Sequence, residues 1–203
     1  MEEPTKPLQI RVHLVSGQVI RFVQEDAPTA RFVHSQVSPA RVFAQTHLLI
    51  GDHETLTALA TANILRIEFL MKECPHWPCP LEIKDIHEIP ASEYRQQIGA
   101  DAPGEPDPQT SGQGTLVEED TSAFYAEVGM VAGDSFFVRI HTESITPIDQ
   151  RKIVQQIFSA PCLPCKRQGG GVTLINPACI THFVMQPGPR MIPTNAWPGH
   201  LQS

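Results

Sequence analysis

Apolar and polar residues alternate near the start of the chain. Ile10, Val12 and Leu14 are interleaved with Arg11 and His13, Ser16-Gly17-Gln18 interrupts them, and Val19, Ile20, Phe22 and Val23 follow. Period-two alternation broken by a short glycine loop predicts a β-hairpin. The period then lengthens. Phe32, Val33 and Val37 fall near helical spacing after Pro28, as do Ile148, Ile153 and Ile157 after Thr146-Pro147. Proline suits a first helical turn, where its missing N–H has no partner to lose, and Asp149 suits the positive end of the helix dipole. Helices are therefore expected at about 27–37 and 146–158. Arg41–Gly51 reads as a strand, and 55–70 and 172–185 read as strands bent at an Ala-rich centre and at Asn176-Pro177. Leu81–Ile89 predicts a strand, Ala91–Gln97 a short helix, and Phe124–Val131 a further strand turning at Gly133-Asp134.

These patterns recur. Setting Ile64 on Ile180 also sets Ala62 on Ala178, Leu59 on Ile175 and Leu56 on Val172. Ile10-Arg-Val-His13 matches Val138-Arg-Ile-His141, and 30–37 matches 150–157. Three blocks in one order point to an internal duplication of a hairpin–helix–hairpin unit. The expected fold is α+β, two small antiparallel-sheet units packed as a pseudo-dimer. The first unit spans 8–98 with a core at 8–72, and the second spans 123–186 with a core at 134–185.

Composition sharpens the boundaries. The chain has 203 residues and 19 prolines, and only six of those prolines fall within the two cores. Segment 99–122 holds Asp101, Glu105, Asp107, Glu118, Glu119 and Asp120 with no Lys or Arg, so it carries most of the formal charge of −7 and reads as a flexible acidic linker. Residues 187–203 read as a proline-rich tail. A concentrated acidic segment argues against a basic nucleic-acid footprint over the whole surface. No secretory pattern and no membrane-length apolar run is visible, and the odd cysteine count does not suggest a disulfide scaffold, so a cytoplasmic protein without membrane contact is expected.

Two constellations could carry chemistry. Cys74, Cys79, Cys162 and Cys165, with His76 as a substitute, form two short-spaced pairs of the kind that bind structural zinc. Packed free thiols are nevertheless the first reading of them, zinc the second and a disulfide the third. Arg11/His13 and Arg139/His141 lie on the polar side of alternating strands, and Lys166-Arg167 precedes three glycines, so these six could bind an anionic ligand or an acidic partner. Cys179 and His182 stand three apart, a spacing that puts them on opposite faces of a strand rather than in a nucleophile–base pair. No nucleotide-binding glycine fingerprint or His-Glu-x-x-His motif is present.

Val12-His-Leu-Val-Ser-Gly-Gln-Val-Ile20 and Ile64-Leu-Arg-Ile67 resemble the opening hairpin and closing strand of Sm-like small barrels. The chain lacks that family's second glycine and its Asp-x-x-Met-Asn element, and its helix lies inside the repeat. The resemblance implies, as an alternative fold, two Sm-like or SH3-like barrels and brings no activity with it. The expected function is a non-catalytic binding or assembly module, its partner an unidentified protein or small anionic ligand, with no cofactor. Halves docked in cis or exchanged in a homodimer both fit. Nucleic-acid binding through the Arg-x-His strands is the second reading, and a zinc-stabilised protein or small enzyme the third.

Overall fold

The computed structural model describes residues 7–52, 54–71, 77–80, 83–99, 123–142, 147–186 and Trp197. The acidic linker beyond Gly99, all of the tail except Trp197, Cys74 and His76 lie outside the described residues.

The predicted opening hairpin is β1 (Leu8–Leu14) and β2 (Val19–Gln24). Helix α1 (Ala27–Gln36) starts at Asp26, whose carboxylate accepts from the Thr29 N–H at 2.9 Å. This satisfies a backbone donor that the first helical turn leaves open. Pro39 behind Ser38 opens a further short helix, α2 (Pro39–Val42). The strand expected from Arg41 is therefore displaced, and β3 (His47–Gly51) begins only after the helical turn. β4 (Leu56–Ala60) and β5 (Ile64–Leu70) are separated by a 3-10 turn at Thr61–Asn63, where a single bent strand was expected. β6 (Ile83–Ile89), α3 (Ala91–Gln97), β7 (Ala123–Met130), β8 (Ser135–Thr142) and α4 (Pro147–Ser159) come next. β9 (Leu163–Lys166), β10 (Val172–Ile175), a second 3-10 turn at Pro177–Cys179 and β11 (Ile180–Gln186) complete the described chain.

The architecture is mixed α+β, mostly strands with few helices. Nine strands form one sheet in the order β11-β7-β8-β6-β9-β10-β5-β1-β2, and β3 and β4 form a separate hairpin. This corrects the expectation of a separate small sheet in each half, and among the described residues no separate barrel closes. The cause is the antiparallel pairing of β10 with β5, Val172 opposite Phe69 and Leu174 opposite Ile67, which runs the strands of both halves into one sheet.

Two apolar cores lie on opposite faces of that sheet. Ile10, Val12, Ile67, Phe69, Val172 and Leu174 belong to the first core. Ile86, Val138, Ile140, Leu163, Cys165 and Ile175 belong to the second. Neighbouring residues of a strand point to opposite faces, so Leu174 and Ile175 enter different cores. This is why all four β10 residues are buried. Among the described residues no helix is long and apolar enough to cross a membrane.

One set of backbone hydrogen bonds occurs twice. Leu14 N–H donates to Gln18, Gly17 N–H to Leu14 and Val15 N–H to Asn63, each at 2.9 Å. The same bonds recur 116 residues later as Met130 to Asp134, Gly133 to Met130 and Val131 to Cys179, each again at 2.9 Å. Gly17 and Gly133 supply the positive φ that both turns need, 81° and 87°. The β1–β2 and β1–β5 ladders have the same registers as β7–β8 and β7–β11 at that spacing. Ile64 and Ile180 stand at that spacing too, each opening its strand. The match of Ile10–His13 with Val138–His141 is corrected. Those residues lie on β1, the first strand of its hairpin, and on β8, the second strand of the other. By position Arg11 corresponds to Glu127 and His13 to Gly129.

Candidate functional site

Four carboxylates, Glu68, Asp85, Glu88 and Glu93, organise the polar residues that the sequence singled out. Arg11 lies directly opposite Glu68 across the β1–β5 ladder, and His13 lies opposite Arg66. The Glu68 side chain is only 4% exposed. His13 Nε2 lies 3.0 Å from Oε1 of Glu68, Arg167 Nη1 lies 2.6 Å from Oε2, and Arg66 and Arg11 stand at 3.6 and 3.9 Å. Burial pushes the Glu68 carboxyl up. The His13 hydrogen bond and the charges of Arg167, His13 and Arg66 outweigh it and hold the group below its ordinary value.

The second cluster is centred on Asp85 of β6, which pairs with His141 in the β6–β8 ladder. Lys166 Nζ is 3.1 Å from Asp85 Oδ2, His87 Nε2 is 3.2 Å from Oδ1, and His141 Nδ1 is 3.9 Å from Oδ1. Here too burial is outweighed, by the Lys166 hydrogen bond and the charges of His87, Lys166 and His141, so the Asp85 carboxyl is lowered. Arg139 reaches Glu93 at 3.9 Å.

Lys166 and Arg167 are consecutive, so they leave the end of β9 toward opposite faces. Lys166 ends on Asp85, while Arg167 bridges Glu68 and Glu88, the latter at 3.5 Å. The six cations therefore do not make one site. Arg11, His13 and Arg167 share one face, Arg139, His141 and Lys166 the other, and each set faces carboxylates. The network spans the two halves of the chain, since Arg167 follows β9 while Glu68 belongs to β5. Glu68, Asp85 and Glu88 were not singled out from the sequence. The alternation Arg66-Ile-Glu68 hints at paired charges on one face, but only strand register puts Arg11 opposite Glu68.

Two of the thiols enter different cores. Cys162 is buried in the first core and Cys165 in the second. Cys79 Sγ points to the Pro164 carbonyl at 3.8 Å. Burial raises all three, Cys79 to about 11. Cys79, Cys162, Cys165 and Cys179 are free, and among the described residues no three metal-ligating side chains converge. Cys179 Sγ lies 3.5 Å from the Ile64 carbonyl, and the His182 ring lies beside Gly129.

A cleft of about 300 Å³ opens beside the Glu68 cluster. His13, Arg66, Glu88 and Asp134 line it, with the Arg66 guanidinium 5.7 Å from the centre of the Phe136 ring. Its lining mixes both charge signs.

The sheet edges differ in burial. Within the sheet, Val172 and Leu174 are 8% and 0% exposed. On the separate β3–β4 hairpin, Leu49 and Leu56 are 61% and 70% exposed. β11 is one edge of the nine-stranded sheet, β2 being the other, with Phe183 and Met185 half-buried against the second core and Phe158 of α4 packed edge-on to Phe183. Compared with models of known protein families, with curated proteins and with solved structures, the chain matches none.

Proposed function

We propose that the chain is a non-catalytic binding and assembly module built from two related units. The units, 8–98 and 123–186, descend from one ancestor by duplication and join as a pseudo-dimer. Support for the duplication comes from the six matched hydrogen bonds and the two matched ladders at one constant spacing.

The observation that carries the assembly reading is the seam. β10 of the second unit adds to β5 of the first, buries Val172 and Leu174 in the first unit's core, and is clamped by Arg167 on Glu68. Strand addition at a sheet edge gives affinity through main-chain hydrogen bonds and specificity through alternate side chains. The cationic residues already serve carboxylates of the chain itself, which favours assembly over phosphate binding as their role. Free thiols suit a reducing compartment such as the cytoplasm.

The test is to place a protease site within 101–121 and cut the folded full-length chain. The two pieces are expected to elute together at the position of the intact chain. Pieces that separate without denaturant would refute the reading.

A further inference from the structure

We infer that the β3–β4 hairpin of one copy adds to the β11 edge of a second copy, repeating between chains the β10–β5 seam found within one. The inference rests on the two-unit reading above.

At the constant spacing of 116, β4 corresponds to β10 and β11 to β5. Inside the chain the pair β10–β5 is made. Its counterpart pair, β4 with β11, is not made among the described residues, where β11 ends the sheet and β4 pairs with β3 alone. Both partners of the missing pair thus have an edge that no described strand covers, and an unpaired strand edge is a template for another chain.

Hydrogen-bond phase fits. Asp52 N–H donates to Thr55 and Thr61 N–H to Thr46. In an antiparallel pair the bonded positions alternate, so Thr57 and Leu59 bond inward to β3, and Leu56, Ala58 and Ala60 turn their backbone groups outward. In the seam, Asn176 N–H donates to the Leu65 carbonyl at 3.0 Å. The same alternation turns Leu174 and Val172 toward Ile67 and Phe69. Outward-facing 56, 58 and 60 therefore correspond to seam-forming 172, 174 and 176. Carrying the register over places Leu56 opposite Met185, Ala58 opposite Phe183 and Ala60 opposite Thr181 of the second copy.

Burial fits as well. Val172 and Leu174 each enter the core of the other unit, whereas Leu56 and Ala58 at the corresponding positions are exposed. Leu49, beside Ala58 in its ladder, is exposed on the same face. The receiving strand shows the same deficit. Ile67 and Phe69 are 1% and 2% exposed, while Phe183 and Met185 are only half-buried. In this contact each copy gives β4 as donor and takes a neighbour on β11 as acceptor, a head-to-tail arrangement that forms a ring where the rotation closes and a filament where it does not.

The test uses the full-length chain in light scattering. The wild type is expected to have at least twice the 22.4 kDa chain mass. Ala58→Pro removes an outward N–H without touching the inward ladder, and Phe183→Glu puts a charge on the acceptor. Each variant is expected to give a single-chain mass with an unchanged far-ultraviolet spectrum. Mixed together, the two should form a dimer and stop there, because one retains its acceptor and the other its donor. Leu56→Lys replaces Ala58→Pro if the proline variant loses its fold. A wild type that stays single-chain at 100 times the lowest concentration examined would overturn the inference. So would variants that still self-associate, or a mixture that does not form dimers. None of these results depends on whether a cut chain holds together, so the seam and the copy-to-copy contact fail separately.

Discussion

Replacing Glu68 by Gln removes one charge from a side chain that is 4% exposed and keeps its shape. The oxygens of Glu68 take the His13 contact at 3.0 Å and the Arg167 bond at 2.6 Å, with Arg66 close by. A hydrogen bond to a charged group is worth about 1.5–3 kcal/mol. Stranding a fully buried charge costs more, about 3–5 kcal/mol. The partners of Glu68 are 21–37% exposed and Arg167 keeps Glu88, so they recover part of that cost from water and from the second carboxylate. The expected loss is about 2–3 kcal/mol, a fall in Tm of roughly 4–12 °C for a chain of this size. Urea unfolding followed by the fluorescence of Trp77, buried edge-on against Phe69 at 5.2 Å, measures it. Because the Glu68 carboxyl is lowered in the fold, its contribution is complete above the unfolded value of about 4.3. It fades as pH falls through the folded value, so wild type and Glu68→Gln should converge in acid. A loss under about 0.5 kcal/mol at pH 7, or a difference that grows on acidification, would refute the argument that Glu68 clamps the seam; effects of that size are ordinary for exposed pairs.

Gly171→Ala should cost at least about 2 kcal/mol, because φ is +97° and the new Cβ would clash with the Phe69 carbonyl oxygen; Gly17→Ala, with open space, should cost about 1 kcal/mol in the same urea assay. Cys162 and Cys165 should resist a thiol reagent at pH 8 in the folded chain and react on unfolding, since burial raises both thiols; rapid native labelling of either would contradict its placement. Asp85→Asn should destabilise at neutral pH by about 1–2 kcal/mol, less than Glu68→Gln because Asp85 is 15% exposed. Glu93→Gln, which among the described residues loses a 3.9 Å ion pair with the partly exposed Arg139, should fall within about 0.5 kcal/mol in the same measurement.

Elements with a local signal were legible. Proline behind Asp26 and alternation before Gly17 and Gly133 mark α1 and the two hairpins, and the structure has them. The boundary at Arg41 was not, because Ser38-Pro39 starts a helical turn that the apolar run 42–43 disguises as strand. The joining of both halves into one sheet was also hidden. β10 reads simply as Val-Thr-Leu-Ile, and nothing local says that its two faces enter two different cores. The Arg-x-His residues were visible, but their meaning was not. Arg11 and Arg139 lie in alike tetrapeptides, yet one faces Glu68 and the other Glu93, on opposite sides of the sheet, because β1 and β8 occupy different places in their hairpins.

The charges at the seam also separate two kinds of contact. At the spacing of 116, Glu68 corresponds to Val184, Arg66 to His182 and His13 to Gly129. The clamp that closes β10 on β5 is therefore not repeated on β11. A contact at β11 has to rest on main-chain bonds and on Phe183, Met185 and Phe158, whereas the seam adds an ion-pair network. Salt weakens ion pairs, most strongly where the charges are partly exposed, and leaves apolar burial in place or strengthens it. Raising sodium chloride from 0.1 to 1 M should narrow the stability gap between wild type and Glu68→Gln by roughly a third or more, while the oligomer mass holds or rises. Glu68→Gln should lower the unfolding midpoint without changing that mass, whereas Ala58→Pro should cut the mass to that of one chain and lose only the concentration-dependent part of the stability. Loss of the oligomer in high salt, with the Glu68→Gln gap unchanged, would invert the assignment of charge to the seam and apolar burial to the edge.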